Sequence, residues 1–272
     1  MFFKTMKRSL LLLFVASIFL TSCSEYQRVL RDDNVGKKYA LADSLYDIGK
    51  YKKALVLMEQ VVPSYRGKPQ AEKLMYMYAN TFYNLEDFYL AGYQFERFET
   101  SYPKSDSVET ASFKSAISYY ELSPRYSLDQ NETITALEKL QSFVNKYPDT
   151  EKRAEVNEKV STLRGKLEKK DYEVAKQYLR ISDFKAAIIA YENFISDHPG
   201  SSYRKDAFYG RMDAAYLLAI NSVPSKVAER LNTAQGYYKA FLKYYNSSDL
   251  IQDAAKISLD IDKRLSAETP LN

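Results

Sequence analysis

The chain has 272 residues and a mass of 31.4 kDa, enough for one large domain, two ordinary domains or one array of repeated units. A composition with 46% hydrophobic and 27% charged residues is typical of a globular chain, and eight glycines and eight prolines favour long helices over a loop-rich all-β fold. The single cysteine and single histidine exclude an internal disulfide and a Cys/His zinc site. The net charge is +4, but without Lys4, Lys7 and Arg8 of the N-terminal segment 36 basic residues face 35 acidic ones, a formal +1, which argues against nucleic-acid binding through bulk charge.

The N-terminus has the organisation of a lipoprotein signal peptide over residues 1–22. A basic stretch precedes the apolar run Leu10–Leu20, which is too short to span a membrane. The run leads into Leu20-Thr21-Ser22-Cys23, which resembles the lipobox of bacterial lipoproteins, where cleavage leaves the cysteine as the acylated first residue. We therefore predict that Cys23 is the lipid anchor and that residues 23–34 form a tether. The alternatives are an ordinary signal peptide with an incidental cysteine, or a short buried helix.

The residues that follow Cys23 indicate where such an anchor would be delivered. By resemblance to other bacterial lipoproteins, Asp at the second mature position would favour retention in an inner membrane, and this chain has Ser24 there. An early acidic run, associated with export to the cell surface in Bacteroidetes-type lipoproteins, is also missing from residues 24–28. The resemblance implies a protein anchored at the periplasmic face of an outer membrane.

The remaining chain contains a recurring motif that predicts the ends of helices. A phenylalanine is followed four residues later by Tyr or His and then by proline, which cannot continue a helix. Three copies are clear, and two more are degenerate because they lack the proline at this place. The copies are Phe98 to Pro103, Phe143 to Pro148, Phe194 to Pro199, Phe241 to Asn246 and Val61 to Arg66.

A second repeated feature is an alanine seven residues before each of these positions, followed four residues later by a large apolar side chain. The alanines are Ala54, Ala91, Ala136, Ala187 and Ala234. Small residues let two helices approach closely and large ones fill the seam, which is the tetratricopeptide (TPR) pattern. We predict an all-α, TPR-like helical-hairpin solenoid with five repeats and a C-terminal capping helix. The predicted ranges are 35–66 and 71–103 (together 35–103), 106–148, 152–199 and 201–246 (together 152–246), and 249–266 for the capping helix.

Aromatic residues recur on the first helix of each predicted repeat. Three residues before the small packing position stand Tyr39, Tyr76, Phe113, Tyr172 and Tyr209, and seven residues further on stand Tyr46, Tyr83, Tyr120, Leu179 and Tyr216. Residues i and i+7 share one helix face, so stacked repeats would align these rings as a ladder along the concave side. The ladder predicts either a peptide groove in repeats one to three, with Asp43, Lys73 and Asn80 as polar neighbours, or an aromatic core between repeats.

The chain resembles the BamD family of outer-membrane assembly lipoproteins over nearly its whole mature length. The most specific stretch is Leu163 to Tyr178, with Lys170, Val174 and Ala175 at the family's spacing, continuing through Ala187-Ile188 to His198-Pro199. The resemblance implies a non-catalytic subunit of the β-barrel assembly machine that contacts the POTRA domains of a BamA-type barrel and receives unfolded outer-membrane proteins. Many members carry Arg where this chain has Ala190, so the detailed contact with the barrel is expected to differ.

The sequence supports other functions less well. There is no Gly-rich phosphate loop and no serine elbow, and the one cysteine is assigned to the anchor, so we predict no enzymatic activity, no metal site and no cofactor. A periplasmic TPR lipoprotein of cell-wall or division scaffolds is the main alternative. A carbohydrate-binding lipoprotein is a third, disfavoured by the absence of tryptophan and by the short inserts.

Overall fold

The computed structural model describes residues 25–268, and these residues are helices joined by short links, with no strand in that range. Residues 25–31 are helical and form α1. The other helices are α2 (Val35–Asp47), α3 (Tyr51–Tyr65), α4 (Ala71–Asn84), α5 (Phe88–Ser101), α6 (Val108–Leu122), α7 (Asn131–Lys146), α8 (Arg153–Arg180), α9 (Phe184–Asp197), α10 (Arg204–Ile220), α11 (Pro224–Tyr245) and α12 (Ile251–Glu268). The predicted all-α class with TPR-like helical hairpins is confirmed.

The recurring Phe–Tyr–Pro motif ends the second helix of a repeat by the same bonding each time. The backbone N–H of Tyr102 donates to the carbonyl of Phe98 at 2.8 Å, and Tyr147 and His198 donate in the same way to the phenylalanine four residues earlier. The ring of Tyr102 lies 5.3 Å from that of Phe98. The carbonyl of Tyr102 then accepts from Ser105, which closes a turn around the proline, and the same turn follows Tyr65, Tyr147, His198 and Tyr245.

Three of the hairpins turn through a residue in the left-handed region of backbone space. Gly49, Glu86 and Ser182 have φ angles of 71°, 61° and 62° and connect the first helix to the second in repeats one, two and four. Glycine adopts this conformation without a Cβ penalty, whereas Glu86 and Ser182 are held there by the surrounding helices. In the latter two turns the next residue, Asp87 or Asp183, caps the following helix by accepting from a backbone N–H.

The five packing alanines lie at the helix crossings. Ala54, Ala91, Ala136, Ala187 and Ala234 are all 0% exposed. Around Ala91 pack Ala79, Phe82, Phe95 and Phe98, so the core of that hairpin alternates small residues with aromatic rings. This arrangement follows the packing of ridges into grooves, in which a small side chain lets two backbones approach.

The described chain forms two compact units, residues 25–123 with 131–157, and residues 124–130 with 158–268. Helix α8 has 28 residues, a length of about 42 Å at the rise of an α-helix. In the second unit α12 packs on α11 and α10, with Ala254 and Ile261 fully buried. No helix among residues 25–268 is both long and apolar enough to cross a membrane.

The segment predicted to be a tether, residues 23–34, differs from a plain linker. Residues 25–31 form α1, and Val29 is 8% exposed in a core cluster with Ala42 and Leu45. Tyr26, Val29 and Leu30 follow helical spacing, so they present one apolar face to the first repeat. The residues before position 25, Cys23 included, lie outside the described range.

Candidate peptide-binding site

The first three copies of the aromatic ladder lie in the first unit, on the first helix of each hairpin. Helix α2 carries Tyr39 and Tyr46, α4 carries Tyr76 and Tyr83, and α6 carries Phe113 and Tyr120. All six side chains are half-buried, neither closed into the core nor fully exposed. We call these six rings and the polar groups beside them the ladder face.

Five of the six rings contact an aromatic ring on the second helix of their own hairpin, which contributes to their partial burial. The Tyr76 ring lies 5.5 Å from Phe98 and 5.9 Å from Phe95, both edge to face. The other ring contacts follow the same principle: Tyr39 on Tyr65, Tyr46 on Tyr51, Tyr83 on Phe88 and Phe95, and Phe113 on Phe143. These rings therefore pack partly against the core while part of their surface stays accessible, and the peptide groove remains a prediction.

A chain of hydrogen bonds crosses the ladder face from helix to helix. The Asn80 amide donates to the Tyr46 hydroxyl at 2.5 Å, and the Lys114 ammonium donates to the Asn80 carbonyl oxygen at 2.5 Å. Asn80 itself is only 8% exposed. The bonded residues are 34 positions apart in the sequence: Tyr46, Asn80 and Lys114. Equivalent ladder positions on α2, α4 and α6 are 37 residues apart. Each bond therefore reaches a residue about one helical turn before the equivalent position on the next helix, and the chain of bonds runs diagonally across the face.

Lys114 is the residue of this face that sequence reasoning missed. Its ammonium lies 5.3 Å above the ring of Tyr83, within cation–π range. Burial lowers the pKa of this amine, because removal from water disfavours the charged form. The sequence does contain a pattern that could have predicted its position. Lys114 stands 34 residues after Asn80, which the sequence predicts to be a polar neighbour of the ladder.

A second polar pair lies between α2 and α4. The Lys73 ammonium lies 2.7 Å from Asp43 Oδ2, and this contact raises the pKa of Lys73. The other carboxylate oxygen of Asp43, Oδ1, is buried and has no hydrogen-bond partner among the described residues. A buried acceptor without a partner costs free energy.

The equivalent aromatic positions of the second unit, Tyr172, Tyr209 and Tyr216, are half-buried as well. Tyr172 stacks on Tyr203 at 5.0 Å, and burial raises its pKa to about 12. The hydroxyl of Tyr216 donates to Asp260 of α12 at 2.7 Å. Helix α12 thus contacts the last first-helix face. The feature that distinguishes the first unit is the chain of hydrogen bonds from Tyr46 through Asn80 to Lys114.

No group of three or more metal-ligating side chains occurs within residues 25–268. His198 ends α9 and lies 3.0 Å from Asp171, a two-residue contact. The ladder face offers ring surface, a half-buried ammonium and an amide. Those groups suit the binding of a polypeptide segment.

Comparison with known proteins adds independent information. The sequence model of the YfiO family, described as outer membrane lipoprotein, matches residues 31–231. A relative in Caulobacter vibrioides named "Outer membrane protein assembly factor BamD" is 28% identical over 142 residues, which is 52% of this chain and 45% of the relative, so less than half of that protein is spanned. A protein of the same name in Rickettsia prowazekii is 21% identical over 202 residues, covering 74% of this chain and 79% of the relative.

Solved structures give weaker overlaps. The TPR2AB-domain:pHSP90 complex of yeast Sti1 aligns with a TM-score of 0.39 and 13% identity, covering 84% of this chain and 98% of that one. The TPR domain of P58(IPK) aligns with a TM-score of 0.38 and 14% identity, covering 93% and 70%. Overlaps this low carry no argument about the site.

The family match settles the relationship that the sequence motifs indicated. It extends from the end of α1 into α11 and so includes the whole ladder face and part of each unit. The resemblance to the BamD family is confirmed by the two named relatives. The chain belongs to the YfiO family of outer membrane lipoproteins.

Proposed function

We propose that the protein is a non-catalytic lipoprotein subunit of the outer-membrane β-barrel assembly machinery. In this role it would scaffold the periplasmic POTRA domains of a BamA-type barrel protein and receive unfolded outer-membrane proteins. The observation that carries the proposal is the half-exposed ladder face of the first unit. The family match and the assembly-factor names of the relatives support the same role.

The chemistry of the ladder face suits an extended segment of an unfolded barrel protein. Such segments alternate apolar and polar side chains and expose unpaired backbone groups. Tyrosine rings supply apolar contact while their hydroxyls stay available to peptide groups. The Lys114 ammonium has three donors, of which one is used by Asn80. An aromatic residue at the end of the segment would lie among rings, with its carboxylate near Lys114.

The experiment that tests the groove is a double substitution, Tyr76→Ala with Tyr83→Ala. We expect the affinity for a peptide taken from the last strand of an outer-membrane barrel to fall roughly tenfold or more, because the double substitution removes both rings that α4 contributes to the ladder face. Binding is measured by fluorescence anisotropy, at a temperature where circular dichroism shows that the variant is folded.

The matched control is Tyr172→Ala with Tyr209→Ala in the second unit. These rings also rest on buried phenylalanines, Phe194 and Phe241, so the control loses comparable packing. It is expected to keep the affinity for the peptide. Equal affinity of the wild type and the Tyr76/Tyr83 variant, with both folded, would remove the ladder face from the proposal.

Anchoring through Cys23 is tested by Cys23→Ser. Serine cannot carry the thioether-linked lipid, and without acyl chains no stable hold on the bilayer remains. We expect the variant to move from the outer-membrane fraction to the periplasmic or unprocessed pool, as measured by fractionation and by the mass of the mature N-terminus. Wild-type protein recovered with an unmodified Cys23 would contradict the anchor.

A further inference from the structure

Two arginines of α10 lie among aromatic rings in the second unit. The guanidinium of Arg204 is 4.9 Å from the ring of Phe208 and 5.5 Å from that of Tyr244. The guanidinium of Arg211 is 5.0 Å from the same Phe208 and 4.3 Å from Tyr237. One phenylalanine is thus shared by two cations, each of which is also flanked by a tyrosine. We call these two arginines and three rings the arginine shelf.

Among the described residues, only one carboxylate lies within 4.0 Å of either guanidinium of the shelf. Glu192 of α9 approaches Arg211 at 3.9 Å, but its oxygen already accepts from the Tyr237 hydroxyl at 2.6 Å. Arg204 donates to a neutral group, the hydroxyl of Tyr245, at 3.4 Å. Each guanidinium also has a buried Nε with no hydrogen-bond partner among the described residues.

Burial makes these weakly paired charges costly. The Arg211 side chain is only 12% exposed, and burial, together with repulsion from Arg204, lowers the pKa of its guanidinium. A charge that has lost its hydration needs a partner of opposite sign. The neighbouring Lys205 already has carboxylate partners, because it forms ion pairs with Asp206 and Asp249.

We propose that the arginine shelf binds a carboxylate of an acidic side chain on a partner protein. A planar guanidinium that stacks on a ring keeps its edge N–H groups for a carboxylate, which it can bind through two parallel hydrogen bonds. Glu192 shows that a carboxylate fits beside Arg211, and it also disfavours a doubly charged phosphate at this place. Tyr244, 55% exposed, offers ring contact to an apolar residue next to the acidic one. The shelf lies in the second unit and does not depend on the ladder face.

The probe is a short fluorescent peptide of glutamate, alanine and tyrosine, compared with the same peptide carrying glutamine. Anisotropy is measured with the full chain in detergent micelles. We expect the glutamate peptide to bind about tenfold more tightly than the glutamine peptide, and Arg204→Gln or Arg211→Gln to remove that preference. The control Arg180→Gln changes an exposed arginine of α8, bonded to Gln177, and is expected to leave the affinity unchanged.

A second variant keeps the test decisive if an arginine substitution unfolds the protein. Glu192→Gln removes the internal competitor yet retains an acceptor for the Tyr237 hydroxyl, so it is expected to tighten binding of the glutamate peptide by roughly threefold. Unchanged affinity in Glu192→Gln, or in a folded Arg211→Gln, would overturn the proposal. Arginine-dependent binding to phosphatidylglycerol vesicles without binding of the peptide would overturn it too, in favour of a lipid headgroup.

Discussion

Replacing Gly210 with alanine is expected to lower the free energy of unfolding by about 1–3 kcal/mol, because the new methyl group would overlap a ring. A Cβ at this position would lie 2.4 Å from Cζ and 2.6 Å from Oη of Tyr191. Tyr191 is 2% exposed and packs with Phe194 and Ala187. Its ring therefore has little room to move away from the added methyl group. Urea unfolding followed by circular dichroism measures the change.

The matched control is Gly165→Ala in α8, where a Cβ would meet nothing within 4 Å. Alanine has the higher helix propensity, so this variant is expected to gain up to about 1 kcal/mol. Opposite signs for the two glycines would confirm the close approach of α10 to α9. If Gly210→Ala is as stable as the wild type, Tyr191 does not lie against α10 in the way described.

Replacing Ala91 with leucine is the second change with a large expected effect. Ala91 is 0% exposed between α4 and α5, with Phe82 and Phe95 as neighbours. Three additional carbon atoms would overpack this crossing and cost about 1–3 kcal/mol, as measured by the urea midpoint at constant slope.

The control for Ala91→Leu lies on the same helix. Tyr89 is 68% exposed, and Tyr89→Leu should change stability by no more than about 0.5 kcal/mol. If Ala91→Leu unfolds at the same urea midpoint as the wild type, the helix-packing register is wrong. The ladder positions were assigned with the same register and would then be wrong too.

The hairpins were accessible to sequence reasoning because their determinants are local. Alanine at a crossing and phenylalanine four residues before a helix stop act through neighbours a few residues away, and Ala187 with Phe194 shows both. The left-handed turns at Glu86 and Ser182 were not accessible, since neither residue type signals that conformation. Only the bonds from the flanking helices hold them there.

The ladder face was accessible only in part. Ring positions such as Tyr76 follow from helical spacing, but the degree of burial does not, because an aromatic ring can satisfy the core and the surface at once. Lys114 was missed because it meets Asn80 diagonally, one turn away from the equivalent register position. Glu192, Arg211 and Tyr237 lie on three different helices and meet at the arginine shelf. No regular spacing in the sequence predicts that these residues are in contact.

Affinity purification of the full-length chain from detergent-solubilised outer membranes tests the proposed role most directly. The account predicts that a barrel protein with POTRA domains is recovered with it, in near-equal amount, as identified by mass spectrometry. Recovery of cell-wall or division proteins in its place, with no POTRA-bearing barrel, would contradict the account.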